Sequence, residues 1–372
     1  MLQRVFNGRK VLITGHTGFK GSWLSIWLLK LGARVTGFSD RIPTEPSLFE
    51  TSRLHERLDH RIGDVRDLPA LASLVKETKP DFVFHLAAQP IVSIAYEAPI
   101  QTITTNIVGT ANVLEALRLA DQACVAVIIT SDKCYENAEW PWGYRESDAL
   151  GGKDIYSSSK GAAELVCHAY FHSFFKSRDS KVRIATARAG NVIGGGDWAK
   201  NRIVVDCIRN WSRNQPVDIR NPGSTRPWQH VLEPLSGYLT LSAALAESDQ
   251  FTGESFNFGP RADQDRTVIE LITDLSKYWE FAQRNQAYKI INVEKFPEAV
   301  LLKLNIDKAR FHLGWEPNLS YEECVELVGQ WYCDFYRRSA TSLKLTLDQI
   351  DLYEDKAQQR NLVWTRQEKW TQ

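Results

Sequence analysis

Residues 14–21 of the chain read Thr14-Gly15-His16-Thr17-Gly18-Phe19-Lys20-Gly21. An apolar run from Lys10 to Thr14 precedes them and predicts a strand, while the pattern from Phe19 to Leu31 predicts a helix. The glycines follow the spacing G-x-x-G-x-x-G, a variant of the dinucleotide-binding fingerprint. A plain strand-to-helix turn is the alternative interpretation, and the surrounding pattern of elements distinguishes the two.

Four residues of this turn are candidates for contact with a dinucleotide. Gly15 allows the tight turn out of the strand, and Gly18 allows a pyrophosphate to approach the backbone. The helix begins at Phe19, where unpaired N–H groups attract a phosphate. His16 could contact the phosphates, or it could be a loop residue that faces solvent.

Short apolar strands alternate with amphipathic helices through the first half of the chain. We predict strands at Lys10 to Thr14, Arg34 to Phe38, His60 to Ile62, Asp81 to Ala87, Ala123 to Ser131 and Arg183 to Ala189. Helices are predicted at Phe19 to Leu31, Ile100 to Ala120, Tyr156 to Lys176, Ile203 to Asn214, Leu232 to Glu247, Val268 to Phe281 and Tyr321 to Arg337. This order is typical of an α/β fold with a Rossmann doubly wound parallel sheet.

The alternation loosens after Gly190, where Trp, Pro and Gly become frequent. We therefore expect a Rossmann domain over residues 1–190 and a smaller C-terminal α/β substrate domain over residues 191–340, with some return of the chain to the first domain. Residues 341–372 are polar, carry no motif and are expected to form a C-terminal extension.

The composition excludes several classes of protein. Lys and Arg number 45 and balance 45 Asp and Glu, so the chain lacks the basic field of a nucleic-acid binder. No apolar run reaches the ~20 residues of a membrane helix, and the N-terminus lacks a signal-peptide pattern. The six cysteines are isolated, without metal-ligand spacing. We expect a cytoplasmic protein with reduced thiols, no metal, and no membrane or nucleic-acid partner.

Residues after the second and third strands are placed to contact the adenosine of the dinucleotide. Asp40 would accept a hydrogen bond from a free ribose 2′-hydroxyl and repel a phosphate, which favours NAD. Ser39 with Arg41 could instead hold the 2′-phosphate of NADP. Asp64 and Val65 are positioned to meet the adenine, and a helix cap at Asp64 is the alternative interpretation.

Tyr156-Ser157-Ser158-Ser159-Lys160 places a tyrosine and a lysine four residues apart on a predicted helix. Both side chains therefore lie on one face. A free phenol has a pKa of about 10 and is a poor base, but an adjacent ammonium and an oxidised nicotinamide stabilise the phenolate. Tyr156 could then remove a hydroxyl proton while hydride leaves the same carbon.

Together these motifs resemble the extended branch of the short-chain dehydrogenase/reductase superfamily, which acts on nucleotide sugars. The resemblance runs from about residue 8 to residue 335 and includes His85-Leu86-Ala87-Ala88-Gln89, Asn106-Ile107-Val108-Gly109-Thr110, Gly190-Asn191-Val192, Thr225-Arg226-Pro227-Trp228 and Leu313-Gly314-Trp315-Glu316-Pro317. It implies cofactor contacts from Gly15, His16, Gly18, Phe19, Asp40, Arg41, Asp64, Val65, Ala87, Asn106, Tyr156 and Lys160. It implies substrate contacts from Gln89, Asn191, Arg202 and Arg226.

The predicted fifth strand ends with Thr130-Ser131-Asp132-Lys133. Nucleotide-sugar 4,6-dehydratases carry a hydroxyl residue, an Asp and a Glu at this place, and epimerases of the branch lack the acidic pair. By resemblance, Ser131 polarises the C4 oxygen and Asp132 protonates the departing C6 hydroxyl. Lys133 stands where the Glu that removes the C5 proton is expected. Lys133 is therefore either this base or a stabiliser of the enolate, with another group or water as base.

The subgroup that acts on CDP-glucose is similar over Ser131-Asp132-Lys133-Cys134-Tyr135 and over Arg226-Pro227-Trp228-Gln229-His230-Val231. This resemblance implies a lyase that oxidises C4, loses water across C5 and C6, and returns hydride to C6, in deoxysugar or lipopolysaccharide O-antigen biosynthesis. It also implies a homodimer or homotetramer, paired through helices near Ile100–Ala120 and Tyr156–Lys176. The alternatives are another nucleotide-sugar 4,6-dehydratase, a 4-epimerase of the same branch, or a non-catalytic NAD(P)-sensing protein.

Overall fold

The structure is a computed structural model that describes residues 1–261, 264–279, 281, 287–291, 301–338 and 340–366. Its strands, in chain order, are β1 (Lys10–Thr14), β2 (Arg34–Ser39), β3 (Asp59–Ile62), β4 (Phe82–His85), β5 (Cys124–Ile129), β6 (Val182–Arg188), β7 (Val192–Ile193), β8 (Val217–Ile219), β9 (Thr225–Arg226), β10 (Gln229–His230), β11 (Ser255–Asn257), β12 (Arg266–Thr267) and β13 (Tyr288–Ile290).

The α-helices, in chain order, are α1 (Leu2–Phe6), α2 (Phe19–Lys30), α3 (Leu48–Thr51), α4 (Leu68–Thr78), α5 (Val92–Glu97), α6 (Pro99–Ile103), α7 (Gly109–Ala120), α8 (Ile155–Tyr170), α9 (Ile203–Trp211), α10 (Leu232–Glu247), α11 (Val268–Ser276), α12 (Asp307–Leu313), α13 (Tyr321–Arg337) and α14 (Ser342–Gln359). No helix of the described residues is both long and apolar enough to cross a membrane.

Seven parallel strands form the central sheet, in the order β11-β6-β5-β4-β1-β2-β3. The chain leaves β1 toward β2 on one side and later returns to β4 on the other side. Such a reversal of strand order opens a crevice at the carboxyl ends of the strands, where ligands bind in folds of this type. The predicted α/β class with a Rossmann sheet is confirmed.

Helices cover both faces of the sheet, and each face has its own apolar core. On one face α2 buries Trp23 and Trp27 against α10 and α14. On the other face α4, α7 and α8 pack against the sheet through residues such as Leu114 and Cys167. The helix α10 is apolar on nearly all sides and is buried along most of its length, as expected for a helix enclosed by other elements.

The helix predicted from Ile100 to Ala120 is confirmed, but it is not α-helical throughout. It begins as α6, widens into a π-helical turn at Thr104–Val108, and continues as α7. Asn106 lies in the wide turn, and its side chain is drawn out of the helix toward Gln89 and Ser159. Such single wide turns often mark functional sites.

The C-terminal extension contains an element that the sequence patterns did not predict. Helix α14 packs against α2 and α13, and it buries Ile350, Tyr353 and Ala357 in the main core. Nε1 of Trp27 donates to Oε1 of Glu354 at 2.6 Å. Residues 342–359 are thus part of the fold rather than a loose tail.

The chain after residue 190 contributes to both parts of the molecule. Strands β8 and β13 form a parallel pair beside α9, and two short sheets join β7 to β10 and β9 to β12. In contrast, α10 packs on β5 and β6, and β11 adds a seventh strand to the central sheet.

Candidate active site

The turn from β1 to α2 is shaped by close backbone contacts. Gly15 has φ +79°, and a Cβ there would lie 2.6 Å from the backbone nitrogen of Ala87. A Cβ on Gly21 would lie 2.2 Å from the carbonyl oxygen of Gly15. Gly18 is the N-cap of α2 and brings no side chain over the helix end. The first amides of α2 therefore face a smooth groove that suits a diphosphate.

His16 is buried, so the alternative of a solvent-facing loop residue is wrong. Its Nε2 lies 2.7 Å from Nδ1 of His60, and its Nδ1 lies 2.9 Å from Oγ of Ser39. Burial, reinforced by His60, lowers the pKa of His16 to about 3. Since both ring nitrogens are engaged, the neutral ring ties the glycine turn to β2 and β3. Any contact with a phosphate must come from the backbone of His16.

Asp40 and Arg41, the residues expected to discriminate between NAD and NADP, follow β2 and are both exposed. Nε of Arg41 lies 3.6 Å from Oδ2 of Asp40. Asp64 forms an ion pair with Arg66, which also donates its backbone N–H to Oδ1 of Asp64 at 2.8 Å. The cap of α4 is Asp67, which accepts from the N–H of Ala70 at 3.0 Å. The alternative of Asp64 as a helix cap is therefore wrong.

Three further predicted cofactor residues, Phe19, Ala87 and Val65, have apolar side chains. Phe19 begins α2, and a Cβ on Gly194 would lie 3.0 Å from the tip of its ring. The N–H of Ala87 donates to Oγ1 of Thr14 at 3.3 Å. Val65 is buried after β3. Val65 belongs to the apolar core on one face of the sheet, Ala87 packs partly buried against that core, and Phe19 packs partly buried against the core on the other face.

Two predicted ligand contacts, Asn106 and Gln89, are occupied by the protein itself. Oδ1 of Asn106 accepts from the N–H of Gln89 at 2.8 Å, and its Nδ2 donates to Oγ of Ser159 at 2.9 Å. Nε2 of Gln89 donates to Thr102 at 2.8 Å, and its Oε1 accepts from the N–H of Ile91 at 2.6 Å. Both residues hold the loop after β4, so they shape the site without an open polar group pointing into it.

Tyr156 and Lys160 lie on one face of α8 and are both buried. The helix begins at Asp154, which caps it by accepting the N–H of Ser157 at 2.9 Å. Burial raises the pKa of Tyr156 to about 12, against the opposing effect of a hydrogen bond with Ser131. Burial also lowers the pKa of Lys160 to about 8. Lys160 can thus exchange a proton near neutral pH.

A buried ion pair anchors α8 to the sheet. Glu164, one turn beyond Lys160, accepts from Nη2 of Arg188 at 2.9 Å. Hydroxyls of Thr130 and Thr186 also donate to the Glu164 carboxylate. Burial opposes the charge, but Arg188 and these donors hold the pKa of Glu164 below its usual value. The catalytic face of α8 is therefore fixed relative to β5 and β6.

Asp132 follows β5 and lies on the floor of the crevice. Oγ of Ser131 donates to its Oδ1 at 2.8 Å, and Nδ2 of Asn191 donates to its Oδ2 at 3.1 Å. A Cβ on Gly190 would lie 1.9 Å from Oδ2 of Asp132. Only glycine therefore leaves room for the carboxylate beside β6. Asn191, a predicted substrate contact, positions Asp132.

Lys133 is half-buried beside these groups. Its backbone N–H donates to Oγ of Ser131 at 3.3 Å. Among the described residues, no carboxylate forms an ion pair with its ammonium. Lys133 remains a candidate for the C5 base on the strength of its place in the chain.

Lys20 was not predicted as a functional residue, and it points into the crevice from the first turn of α2. Its Nζ donates to the phenol oxygen of Tyr238 at 3.5 Å. Burial is the main reason that the pKa of Lys20 is lowered to about 7, and the positive charge of Arg202 lowers it further. The negative charge of Asp132 acts to raise it. In the local sequence, only the position of the lysine within a glycine-rich turn indicated a functional role. Its neighbours Tyr238 and Asp132 come from α10 and from the turn after β5.

The two predicted substrate arginines differ in their relation to the site. Nη1 of Arg202 donates to Oδ2 of Asp197 at 2.6 Å, and its charge acts on Tyr156. Arg226 is half-buried on β9 and donates to the carbonyl of Thr225 at 2.8 Å. The structure thus brings Arg202 to the catalytic groups, and it places Arg226 on the smaller sheet with β12.

Residues 12–328 match the sequence profile of the family described as GDP-mannose 4,6 dehydratase. This chain belongs to that family. It is also 47% identical over 332 residues to the CDP-glucose 4,6-dehydratase of Salmonella typhimurium, a match that covers 88% of this chain and 91% of the relative. The family expected from the sequence motifs is confirmed.

Solved structures share the fold at low sequence identity. Epimerase Mth375 from Methanothermobacter thermautotrophicus is 25% identical, with a TM-score of 0.75 over 91% of this chain and 97% of that chain. DesIV, a dTDP-glucose 4,6-dehydratase from Streptomyces venezuelae solved with NAD and TYD bound, is 20% identical, with a TM-score of 0.74 over 90% of this chain and 99% of that chain. Dehydratases and epimerases thus share this architecture, so the side chains of the site must distinguish them.

Proposed function

We propose that this protein is an NAD-dependent nucleotide-sugar 4,6-dehydratase that converts CDP-glucose to CDP-4-keto-6-deoxyglucose. The observation that supports this proposal most directly is the buried carboxylate of Asp132. It accepts a hydrogen bond from Ser131 and lies within electrostatic reach of Tyr156. A 4-epimerase needs groups that oxidise and reduce C4, but it has no step that requires an acid near C6. The 47% identity to a CDP-glucose 4,6-dehydratase supports the choice of substrate.

The residues of the crevice fit a dinucleotide at several points. The glycine turn offers open amides at the start of α2, and Lys20 adds a positive charge beside it. At the adenosine end of the proposed dinucleotide site, the carboxylate of Asp40 suits the free 2′-hydroxyl of NAD and disfavours the 2′-phosphate of NADP. NAD, when bound, would accept the C4 hydride and return it to C6.

In the oxidation, Tyr156 takes the proton of O4. Ser131 acts to lower the pKa of the phenol, against the larger effect of burial, and it can also polarise O4. Lys160, buried one turn further along α8, stabilises negative charge that develops on the phenol oxygen. These groups supply positioned acid–base catalysis, which contributes about 10²–10⁴-fold to rate.

In the dehydration, the new C4 ketone makes the C5 proton acidic. Asp132 protonates O6 as the C6–O bond breaks, and Lys133 either removes the C5 proton or stabilises the enolate. Lys133 follows Asp132 directly in the chain and is half-buried. Return of a proton to C5 completes the 4-keto-6-deoxy product.

The substrate enters between two parts of the chain on this proposal. Residues 1–190 bind the cofactor, and residues 191–340 cover the nucleotide sugar, apart from α10 and β11, which rejoin the central sheet. Arg202 at the start of α9 and Arg226 on β9 are positive groups suited to the diphosphate and nucleoside. The step would serve deoxysugar biosynthesis for lipopolysaccharide in the cytoplasm.

Exposed apolar side chains support assembly into a homodimer or homotetramer. On α6 to α8 and the turns beside them, Ile100, Val108, Leu119, Leu165 and Phe174 are all exposed. These side chains lie on helices that contact one another, and exposed apolar surface that is grouped in this way is typical of a protein interface. Sedimentation analysis of the wild type and of a Leu119→Glu, Leu165→Glu variant would test this interface.

The function is tested by incubation with CDP-glucose, UDP-glucose, dTDP-glucose and GDP-mannose, followed by mass spectrometry. We expect loss of one water from CDP-glucose. An epimerase would give a product of unchanged mass, and a sensing protein would give no product. With CDP-glucose deuterated at C4, we expect deuterium at C6 of the product. Stoichiometric release of reduced cofactor would instead indicate an ordinary dehydrogenase.

A further inference from the structure

His85 ends β4, and both of its ring nitrogens contact threonine hydroxyls. Its Nδ1 lies 2.7 Å from Oγ1 of Thr14, the residue that pairs with it from the end of β1. Its Nε2 lies 3.1 Å from Oγ1 of Thr110 on α7. All three side chains are buried. The ring therefore links the strand that leads into the glycine turn to the helix that follows the π-helical turn.

The hydroxyl protons fix the tautomer of His85. Thr110 has one hydroxyl proton and donates it to the carbonyl oxygen of Asn106 at 2.7 Å. Oγ1 of Thr110 must therefore accept from the Nε2–H of His85. On the other side, Oγ1 of Thr14 accepts from the N–H of Ala87 at 3.3 Å and donates its own proton to Nδ1. A neutral ring with its proton on Nε2 satisfies every one of these contacts.

A neutral ring also suits the charges around His85. Burial, reinforced by the positive charge of Lys160, lowers the pKa of His85 to about 3. A second positive charge beside Lys160 would favour loss of the lysine proton and weaken the support that Lys160 gives to the phenol of Tyr156. His85 therefore acts through its hydrogen bonds and not as an acid or a base.

At one end, the path of hydrogen bonds reaches the glycine turn. Thr14 directly precedes Gly15, and a Cβ on Gly15 would lie 2.6 Å from the backbone nitrogen of Ala87. The same Ala87 donates its N–H to Thr14. His85 thus holds the loop after β4 against the turn that we expect to bind the diphosphate of the dinucleotide.

At the other end, the path reaches α8. Nδ2 of Asn106 donates to Oγ of Ser159 at 2.9 Å, and Oγ of Ser159 donates to the carbonyl oxygen of Tyr156 at 2.7 Å. All of these residues are buried. A continuous path of hydrogen bonds therefore runs from the glycine turn, through His85, to the backbone of the residue whose phenol is proposed to take the O4 proton.

We propose that His85 is a positioning residue for hydride transfer, because its two hydrogen bonds fix the glycine turn relative to the helix that carries Tyr156. The turn would hold the dinucleotide, and Tyr156 would hold the C4 hydroxyl of the sugar. A change in the distance between turn and helix thus becomes a change in the distance that the hydride crosses. A displacement of about 1 Å can cost about 100-fold in rate. This inference rests on the proposed dehydratase function.

His85→Phe keeps a ring in the same space and removes both hydrogen bonds. We expect kcat with CDP-glucose to fall by about 100-fold. The Kd of NAD, measured by calorimetry, should stay within about threefold of the wild type, since the amides of α2 are unchanged. With CDP-glucose deuterated at C4, His85→Phe should show a primary isotope effect on kcat, because hydride transfer then limits turnover. Absence of this isotope effect would overturn the positioning role.

Leu114→Ala is the matched control for lost stability, since Leu114 is buried on α7 and takes no part in the path. This variant should unfold at a lower temperature than the wild type. At a temperature where circular dichroism shows both variants folded, it should keep kcat and the Kd of NAD near those of the wild type. Equal losses of kcat in Leu114→Ala and His85→Phe would overturn the positioning role.

Thr110→Val interrupts the same path one step further along and keeps the shape of the side chain. It should lower kcat in the same direction. The double variant with His85→Phe should be no slower than His85→Phe alone, because both changes break one path. Losses that multiply fully would show two independent effects and overturn the shared path. If His85→Phe does not fold, a wild-type kcat in Thr110→Val would also overturn it.

The tautomer is measured in the wild type without substrate. In protein labelled with ¹⁵N-histidine, long-range ¹H–¹⁵N spectra should show a proton on Nε2 of His85 and none on Nδ1, unchanged between about pH 6 and about pH 8. Loss of these signals in His85→Phe assigns them. A proton on Nδ1, or titration in this range, would overturn the inference alone. A wild type that acts on no nucleotide sugar would overturn the proposed function as well.

Discussion

Nζ of Lys20 lies 3.5 Å from the phenol oxygen of Tyr238, although 218 positions separate the two residues in the chain. The contact joins the glycine turn to the buried helix α10, and it holds an ammonium within electrostatic reach of Asp132 and Lys160. Among the described residues, no carboxylate forms an ion pair with Lys20. Its charge is therefore directed at the crevice, toward Asp132, the residue proposed to donate a proton in the dehydration.

Lys20→Met should slow turnover of CDP-glucose while leaving the fold intact, because Met fills the same space without the charge. We expect kcat to fall by roughly 10- to 100-fold, with a smaller change in the Kd of NAD measured by calorimetry. Lys20→Arg keeps the charge and should be less affected. Equal kcat values for Lys20→Met and the wild type would show that the ammonium has no part in catalysis.

Tyr156→Phe should lose dehydratase activity and still bind NAD. The phenol oxygen is the only atom removed, and the ring keeps its buried packing on α8. Loss of a positioned proton-transfer group costs about 10²–10⁴-fold in rate. Activity with CDP-glucose and NAD binding by fluorescence would be measured together. Turnover near that of the wild type would remove Tyr156 from the mechanism.

Local patterns were sufficient to predict six of the seven strands of the central sheet and the two main motifs, but not β11. The strand at Lys10–Thr14 was predicted to the residue, since a short apolar run followed by a glycine turn leaves few alternatives. Tyr156 and Lys160 were recognisable because helical spacing alone puts them on one face. Ser131 and Asp132 were predicted as their partners by resemblance to nucleotide-sugar 4,6-dehydratases.

Long-range contacts explain what the sequence could not predict. The wide turn at Thr104–Val108 depends on the hydrogen bonds of Asn106 to a loop 17 positions earlier. Helix α14 has a mostly polar sequence, and only its contact with α2 reveals why Tyr353 is buried. His16 was expected at the cofactor or in solvent, because nothing nearby in sequence indicates that His60 would meet its ring.

Glu164→Gln should destabilise the protein by about 3–5 kcal/mol, because it leaves a buried guanidinium without its counter-charge. Arg188 and Glu164 are both almost fully buried. Thermal and denaturant unfolding would measure the loss. Glu115→Gln breaks an exposed pair with Arg118 and is the matched control, with little expected effect. Adding Arg188→Met to Glu164→Gln should recover part of the stability, and no recovery would argue against an unpaired charge as the cause.

Glu233 joins α10 to the loop before α13 and to α14. Its carboxylate accepts from the N–H groups of Asn318 at 3.0 Å and Leu319 at 2.6 Å, and from the phenol of Tyr353 at 2.8 Å. Glu233→Ala would leave the buried N–H groups of Asn318 and Leu319 without their acceptor, and Tyr353 would keep only its contact with Ser236. Each unsatisfied group costs about 1–3 kcal/mol, so we expect a large fall in the free energy of unfolding. Tyr353→Phe removes one donor only and should be much milder.

The stability of the wild type should also depend on pH through Glu233. Because the pKa of this carboxyl is raised, stability should fall as the pH rises. Burial raises the pKa of Glu233 from 4.5 to about 7 in the folded protein. The folded state resists ionisation of this carboxyl. The contribution of protonated Glu233 to the free energy of unfolding is therefore fully present below about pH 4.5 and is lost as the pH rises through about 7. Glu233→Gln stays neutral, so the difference in Tm between wild type and Glu233→Gln should shift in favour of the variant across this window. A difference that is constant between about pH 5 and about pH 8 would show that Glu233 is ionised throughout, held by its three donors.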